Sequence, residues 1–546
     1  MSRSRTLTAL SLCALLGLTT AACSQSRPTQ AKPHVDPAGL TLVDRTAKPN
    51  SAVDKVHWQL DAEPRSLDLD VKADTGGNTV LANVCERLFQ MQPDLSVRPF
   101  LAETAKYTDP TTLVLTVRGD VTFHDNSPMT ADDVLWSLKR HATAGMTESD
   151  EYEDVRSMKR TGERQITIRF KKPNALFTKA LAGNGGIVLN REKVRAAGDK
   201  YGSPGTEDAC SGPYRVESWQ SGSKVTLDRY GAYWDKDLKP LVRSADFTWA
   251  ENENTLVNNL VTGTTDGSYI TTTTAVAPLA SSKALRVAYG KSTRVFTLIP
   301  TERGGMKDPN VRRALSLALD RRGIAKSGFG GLAQPWRTPL GPGAWGYEKK
   351  AFEAAYDKLS GAPERPTKAD LEKARKLVGR VDSPPALVVA SDGTPLRTLL
   401  ANATVDAARK IGLKAEVRTM SGADFASLYT DKALRRKVDL VPDDWYITKP
   451  DPAGFYDNAL TGSPNNWVGY SSPEYDRVVT KALRTNDDAE RARLLIDAER
   501  RFSEDAVWIP LVQAPNVLVT SSEYTGAPAS MAYIAYPWLA DLGAKR

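Results

Sequence analysis

Four histidines in 546 residues, His34, His57, His124 and His141, leave no pair at metal-ligand spacing on a helix. Neither a metal nor a cofactor is expected on that showing. Beyond the N-terminal segment no stretch approaches the ~20 consecutive apolar residues that span a bilayer, so the body has no predicted transmembrane helix. Long runs of one charge are missing too: 73 Lys and Arg are interspersed with 65 Asp and Glu, and basic clusters are as short as Arg435, Arg436 and Lys437. A formal charge of +8 spread this way excludes a nucleic-acid tract and licenses at most mild attraction to anionic lipid or cell wall.

Enzyme motifs fail once their context is checked. Gly290, Lys291 and Ser292 imitate the end of a phosphate-binding loop, but Leu285 stands where the first glycine is required and a strand-like run from Val295 to Ile299 follows. Gly328, Gly330 and Ala333 match a dinucleotide fingerprint, yet they follow a helical pattern and run into Pro335. Ser221 and Lys224 have the spacing of a nucleophile pair but fall in a turn between strand-like segments. Acidic pairs such as Asp132 with Asp133 and Asp487 with Asp488 sit at helix starts, where carboxylates favour the dipole. No catalytic constellation assembles, and an enzyme is not expected.

What is present begins at the N-terminus. Arg3 and Arg5 precede an uncharged, mostly apolar run from Leu7 to Leu18, then Thr19 to Ala22 and Cys23. That is the grammar of a secretory signal over residues 1–22. Its end resembles the bacterial lipobox, in which the cysteine is acylated; Thr20 departs from the usual Leu. Cys23 is the expected lipidation site, and the alternative is ordinary cleavage near Ala22 with a plain thiol. Residues 23–52, rich in Ser, Pro, Thr, Ala and Lys, read as a flexible tether. After Cys23 only Cys85 and Cys210 remain. An oxidising compartment predicts a disulfide between them, the alternative being two separately buried thiols.

Along the body, strand and helix signals alternate. Leu113, Leu115 and Val117, then Ile166, Ile168 and Phe170, have strand period. Thr130 with Asp133 and Thr367 with Asp370 are capping boxes, and Asp308 followed by Pro309 opens a helix. Leu396, Leu400, Ala403, Ala407 and Ile411 form an apolar stripe, expected to be core, before a strand from Lys414 to Met420. Leu495, Ala498 and Phe502 mark a last long helix. The pattern predicts an α/β protein with mixed sheets.

Between Leu101 and Arg140 an ordered set stands out: Arg118, Gly119, Phe123, His124, Asp125, Pro128, Thr130, Ala131, Asp133 and Val134. It resembles the signature of bacterial extracellular solute-binding proteins of the peptide and nickel class, family 5, with Asn126 in place of the usual Gly. Further blocks follow the family's order: Glu63 to Asp68, Glu86 and Leu88, Gly212 to Tyr214, Tyr233 and Trp234, Val311 to Arg321, Asp451 with Pro452, and Asn466 to Tyr470. The resemblance implies a two-lobed, periplasmic-binding-protein type II-like fold with an inserted subdomain in the first lobe. Lobe I is expected over 53–299, lobe II over 300–509, and a C-terminal return to lobe I over 510–546. It also implies an extracytoplasmic, anchored monomer that closes on a small solute and hands it to the membrane subunits of an ABC importer. A second reading keeps the fold but binds a lipid-linked or regulatory envelope partner.

In peptide-binding relatives a Trp-x-x-Asp segment offers its Asp to the peptide's ammonium. Here the segment runs from Trp445 and Tyr446 through Thr448 and Lys449 to Asp451. Thr448 occupies the anchoring position, and a hydroxyl cannot neutralise a desolvated ammonium. The expected solute is therefore a modified peptide or another small polar molecule. Trp445 and Tyr446 are candidates for an aromatic wall. Thr75, Gly76, Gly77 and Asn78 resemble the first-lobe loop that approaches the ligand, and Ser391, Asp392 and Gly393 the second-lobe loop; solvated turns are the alternative for each.

Overall fold

Residue order and hydrogen bonding divide the protein into two sheet-centred lobes and an insertion. The structure, a computed structural model, describes residues 40–270 and 275–545. The secretory segment and Cys23 lie outside the described residues. Seven strands make the first sheet: in spatial order Leu285–Gly290, Asn516–Ser521, Gly267–Ile270, Val53–Leu60, Val242–Trp249, Lys224–Arg229 and Tyr214–Gln220. Val53–Leu60 pairs in parallel with both neighbours, while the outer pairings are antiparallel, so the sheet is mixed.

The second sheet has six strands in the order Gln334–Pro335, Ile509–Gln513, Val295–Pro300, Leu440–Trp445, Ala386–Ser391 and Lys414–Thr419. Val295–Pro300 is apolar at nearly every position and is covered on both faces, as a central strand must be. It pairs antiparallel with Ile509–Gln513. The chain thus leaves the first sheet at Gly290, enters the second at Val295, and returns between Gln513 and Asn516.

Residues 102–170 form a separate four-stranded antiparallel sheet, Ala102–Asp109, Thr112–Val117, Gln165–Phe170 and Val155–Arg160. The alternating Leu113, Leu115, Ile166 and Ile168 face a core closed by Val134 and Leu138 of the helix Ala131–His141. That helix opens on the expected capping box, with Thr130 and Asp133 bonding each other's main chain. Asn126 adopts φ +66°, a left-handed conformation that asparagine tolerates better than most side chains. A disulfide joins Cys85 and Cys210, whose Cα atoms are 4.7 Å apart.

Residues 40–52, read above as the end of a flexible tether, run against the first lobe. The Thr46 amide donates to Ala527 O, the Asn50 amide donates to Ala544 O, and Leu40 is buried beside Ile270 and Val517. Main-chain bonding of this kind leaves no side-chain period to read.

Candidate functional site

A cavity of about 880 Å³ is lined by residues of both lobes and by both crossings. Ser292 and Arg294 contribute from one crossing, and Pro515 and Asn516 from the other. Thr75 and Asn78 reach it from a helix, Thr75–Leu81, whose cap is Asp74. Gly76 and Gly77 face the other way. A Cβ on Gly77 would stand 2.9 Å from Ser66 O, so glycine lets the helix start lie against the 62–66 segment.

From the second lobe, Tyr446 and Thr448 line the cavity. Trp445 does not: its ring packs edge-on against Trp508 and Phe455, with centroids 5.1 and 6.2 Å away, as part of the lobe's core. Asp451 is fully buried, paired with Arg491 at 3.0 Å and accepting the Tyr347 hydroxyl at 3.2 Å. Ser391, Asp392 and Gly393 form the turn behind the wall, and the next four residues, Thr394 to Arg397, line it. Ser391 is buried with its hydroxyl 3.1 Å from that of Thr398, Asp392 accepts Arg397 at 2.7 Å, and Gly393 carries the turn at φ +82°.

The two acidic residues before Trp445 are brought to the cavity by their strand, without any shift of the loop after it. Asp443 accepts the Arg397 guanidinium and the Tyr429 hydroxyl, each at 2.8 Å. Asp444 lies 3.3 Å from Arg294, whose guanidinium stands 5.6 Å from the Tyr446 ring centroid. Burial raises the Asp444 pKa above the usual carboxylate range, Arg294 opposes that, and the charge of Asp443 adds to it. On the first lobe, burial and the neighbouring Glu151 push Glu148 up to about 6. Lys449 points away from the solute space and pairs with Glu151. The carboxylates that second-lobe strand places in the cavity already have cationic partners, and Thr448 adds none.

Arg294, Arg397 and Phe296 were not legible as site residues. Phe296 sits in a buried strand, and nothing in the spacing of the two arginines distinguishes them from surface charge. Leu396 was assigned to a core stripe; Leu400 and Ile411 of that stripe are buried, whereas Leu396 is half-buried on the cavity.

A sequence profile of the bacterial extracellular solute-binding proteins, family 5 Middle, matches residues 96–467. The chain belongs to this family. A family 5 protein of this type is a solute-binding receptor of peptide-type ABC transporters and not an enzyme. Among curated relatives, the chain is 24% identical over 479 residues to the probable D,D-dipeptide-binding periplasmic protein DdpA of Escherichia coli K12, covering 85% of this chain and 89% of that one. It is 25% identical over 469 residues to the glutathione-binding protein GsiB of Salmonella choleraesuis, covering 83% and 88%. The solved structure of MppA, a periplasmic murein tripeptide binding protein in its unliganded open form, superposes with a TM-score of 0.76 at 16% identity, over 92% of this chain and 98% of that one. The two-lobed family fold follows from that likeness.

Proposed function

We propose that this family 5 receptor captures a peptide-like solute that lacks an ordinary free α-ammonium group, and presents it to an ABC importer. The observation that carries the reading is Thr448, which lines the cavity where relatives place a carboxylate, while Asp443 and Asp444 are engaged by Arg397 and Arg294. An ammonium buried against Thr448 would find both carboxylates of that strand engaged, the remaining glutamates of the lining, Glu148 and Glu253, belonging to the first lobe, and leaving it unpaired would cost several kcal/mol. Two relatives are named for a D,D-dipeptide and for glutathione; both solutes carry a free ammonium, so the reading rests on Thr448 and not on those names. Thr75, Asn78, Tyr446 and Thr448 contact the solute directly in this reading. Ser391, Asp392, Gly393 and Asp451 act by holding the wall in place.

Residues 53–290 with the return segment from 516 onward serve as one lobe and 295–513 as the other, with the paired crossings as hinge, and Cys23 carries the lipid that keeps the receptor at the outer face of the cell membrane. Solute binds the folded, closing receptor and not the unfolded chain, so it adds RT ln(1 + [L]/Kd) to stability and raises the melting temperature. Thr448→Asp tests the ligand reading by calorimetry with unblocked tri- and tetrapeptides: binding tightens at least tenfold relative to the parent protein. No gain in affinity, or parent-level tight binding of unblocked peptides, would refute it. Membrane fractionation of Cys23→Ala tests the anchor, with release to the soluble fraction expected.

A further inference from the structure

We infer that one end of the cleft is an apolar subsite, and that the solute carries an aliphatic group into it; the inference rests on the receptor reading above. The cavity is not uniform. Phe296, Leu396 and Leu399 of the second lobe all line it and all remain half-buried. They sit on neighbouring elements. A Cβ built on Gly328, in the helix Arg321–Phe329, would stand 3.1 Å from Leu396 and 3.3 Å from Leu399, and the Phe296 ring is 4.8 Å from that of Phe329.

The first lobe meets them with Ile270 and Val517, cross-strand partners that also line the cavity. Leu332, three residues past that helix, is buried in one cluster with Ile270 and Val517. Leu332 thus brings the end of that helix to the apolar pair of the first lobe. Glu148 and Thr448 mark a different part of the lining, where Lys449 and Glu151 tie the lobes together.

Large apolar side chains left in contact with water inside a concave site favour an occupant that covers them, and the gain scales with the apolar area removed from water. Gly328 belongs to the same wall: it lines the cavity, and a Cβ there would crowd Leu396 and Leu399, so glycine lets its helix lie against them. A solute that is polar throughout would leave this end wet. An amphipathic one fills both ends, its peptide-like groups among the hydrogen-bonding residues and its aliphatic group between Phe296, Leu399 and Val517.

Titration calorimetry on the purified protein tests this with blocked tripeptide amides, acetyl-Ala-X-Ala-amide, where X is Ala, Val, Leu or Asn. Affinity rises about fourfold for each methylene buried from Ala to Leu, and Asn, close to Leu in shape, binds no better than Ala. Hexanoyl-Ala-Ala-Ala-amide, run alongside, tells an acyl source of the aliphatic group from a side-chain source. Gly328→Leu displaces Leu396 and Leu399 and flattens the series; Leu399→Gln, which adds no bulk, weakens the Leu member selectively. A flat series in the parent protein, a preference for Asn, an equally steep series in both variants, or no binding by any member overturns the subsite. The receptor reading is decided separately, by whether solute extracted from the native medium compacts the protein in solution scattering.

Discussion

Glu499 is buried in the second lobe, one carboxylate oxygen accepting the Tyr456 hydroxyl at 2.8 Å and the other without a partner among the described residues. Burial pushes its pKa up to about 7, against the hydrogen bond from Tyr456. The folded state therefore favours the protonated form more than the unfolded chain does. The associated stability is fully present below the ordinary glutamate range near 4.5 and is lost as pH rises through about 7. Glu499→Gln should match the parent protein at pH 4 and exceed it by roughly 2–3 kcal/mol at pH 8. Chemical denaturation at the two pH values checks this, and a difference that does not depend on pH would contradict it. In the cavity the same reasoning gives Asp444 its character: its charge is held by Arg294 in a site that otherwise disfavours it.

Elements were the most legible level. The capping boxes at Thr130 and Thr367, the Asp308 and Pro309 start and the last helix, Asp488–Glu504, are where their caps and periods put them. These signals are local: a cap bonds residues three apart, and a helical stripe repeats within one turn. The Thr367 box is exposed and isolated, so Thr367→Ala should cost about 1 kcal/mol without altering solute binding, as read by thermal melts and calorimetry. The site was less legible because it is assembled by crossing points. Asp443, Arg294 and Asn516 are distant in sequence and meet only because Val295–Pro300 pairs with Leu440–Trp445 and the return crossing follows Gln513. Trp445 shows the converse: an aromatic beside the anchoring position in sequence can pack against the core instead of lining the cavity. The Cys85 to Cys210 bond closes a loop with a sequence separation of 125. Replacing both cysteines by Ser should lower stability by roughly 3–5 kcal/mol, with denaturant midpoints as the measurement.

At the scale of the whole molecule, two ion pairs among the described residues join the lobes. Lys449 pairs with Glu151, and Lys349 reaches Asp94 at 2.9 Å. Burial works against the charge on Asp94, but the Ser96 hydroxyl and Lys349 hold its pKa at about 2. Beside it Leu95, buried at φ +67°, packs against the 343–346 segment of the other lobe. These contacts favour the approached arrangement of the lobes. Lys349→Glu combined with Lys449→Glu should open the solute-free protein, seen as a larger radius of gyration at low ionic strength, and solute should compact it at reduced affinity. An unchanged radius would mean that the two ion pairs do not set the angle.

The strand Asn516–Ser521 lies between Gly267–Ile270 and Leu285–Gly290 and hydrogen-bonds to both. A sheet begun by Val53–Leu60 is thus bridged by a segment that follows the whole second lobe in sequence. The first lobe has no continuous scaffold until that keystone is threaded into its slot. Nascent chains stopped before residue 516 would expose two unpaired edges, so the first lobe cannot close its sheet until the second has been made.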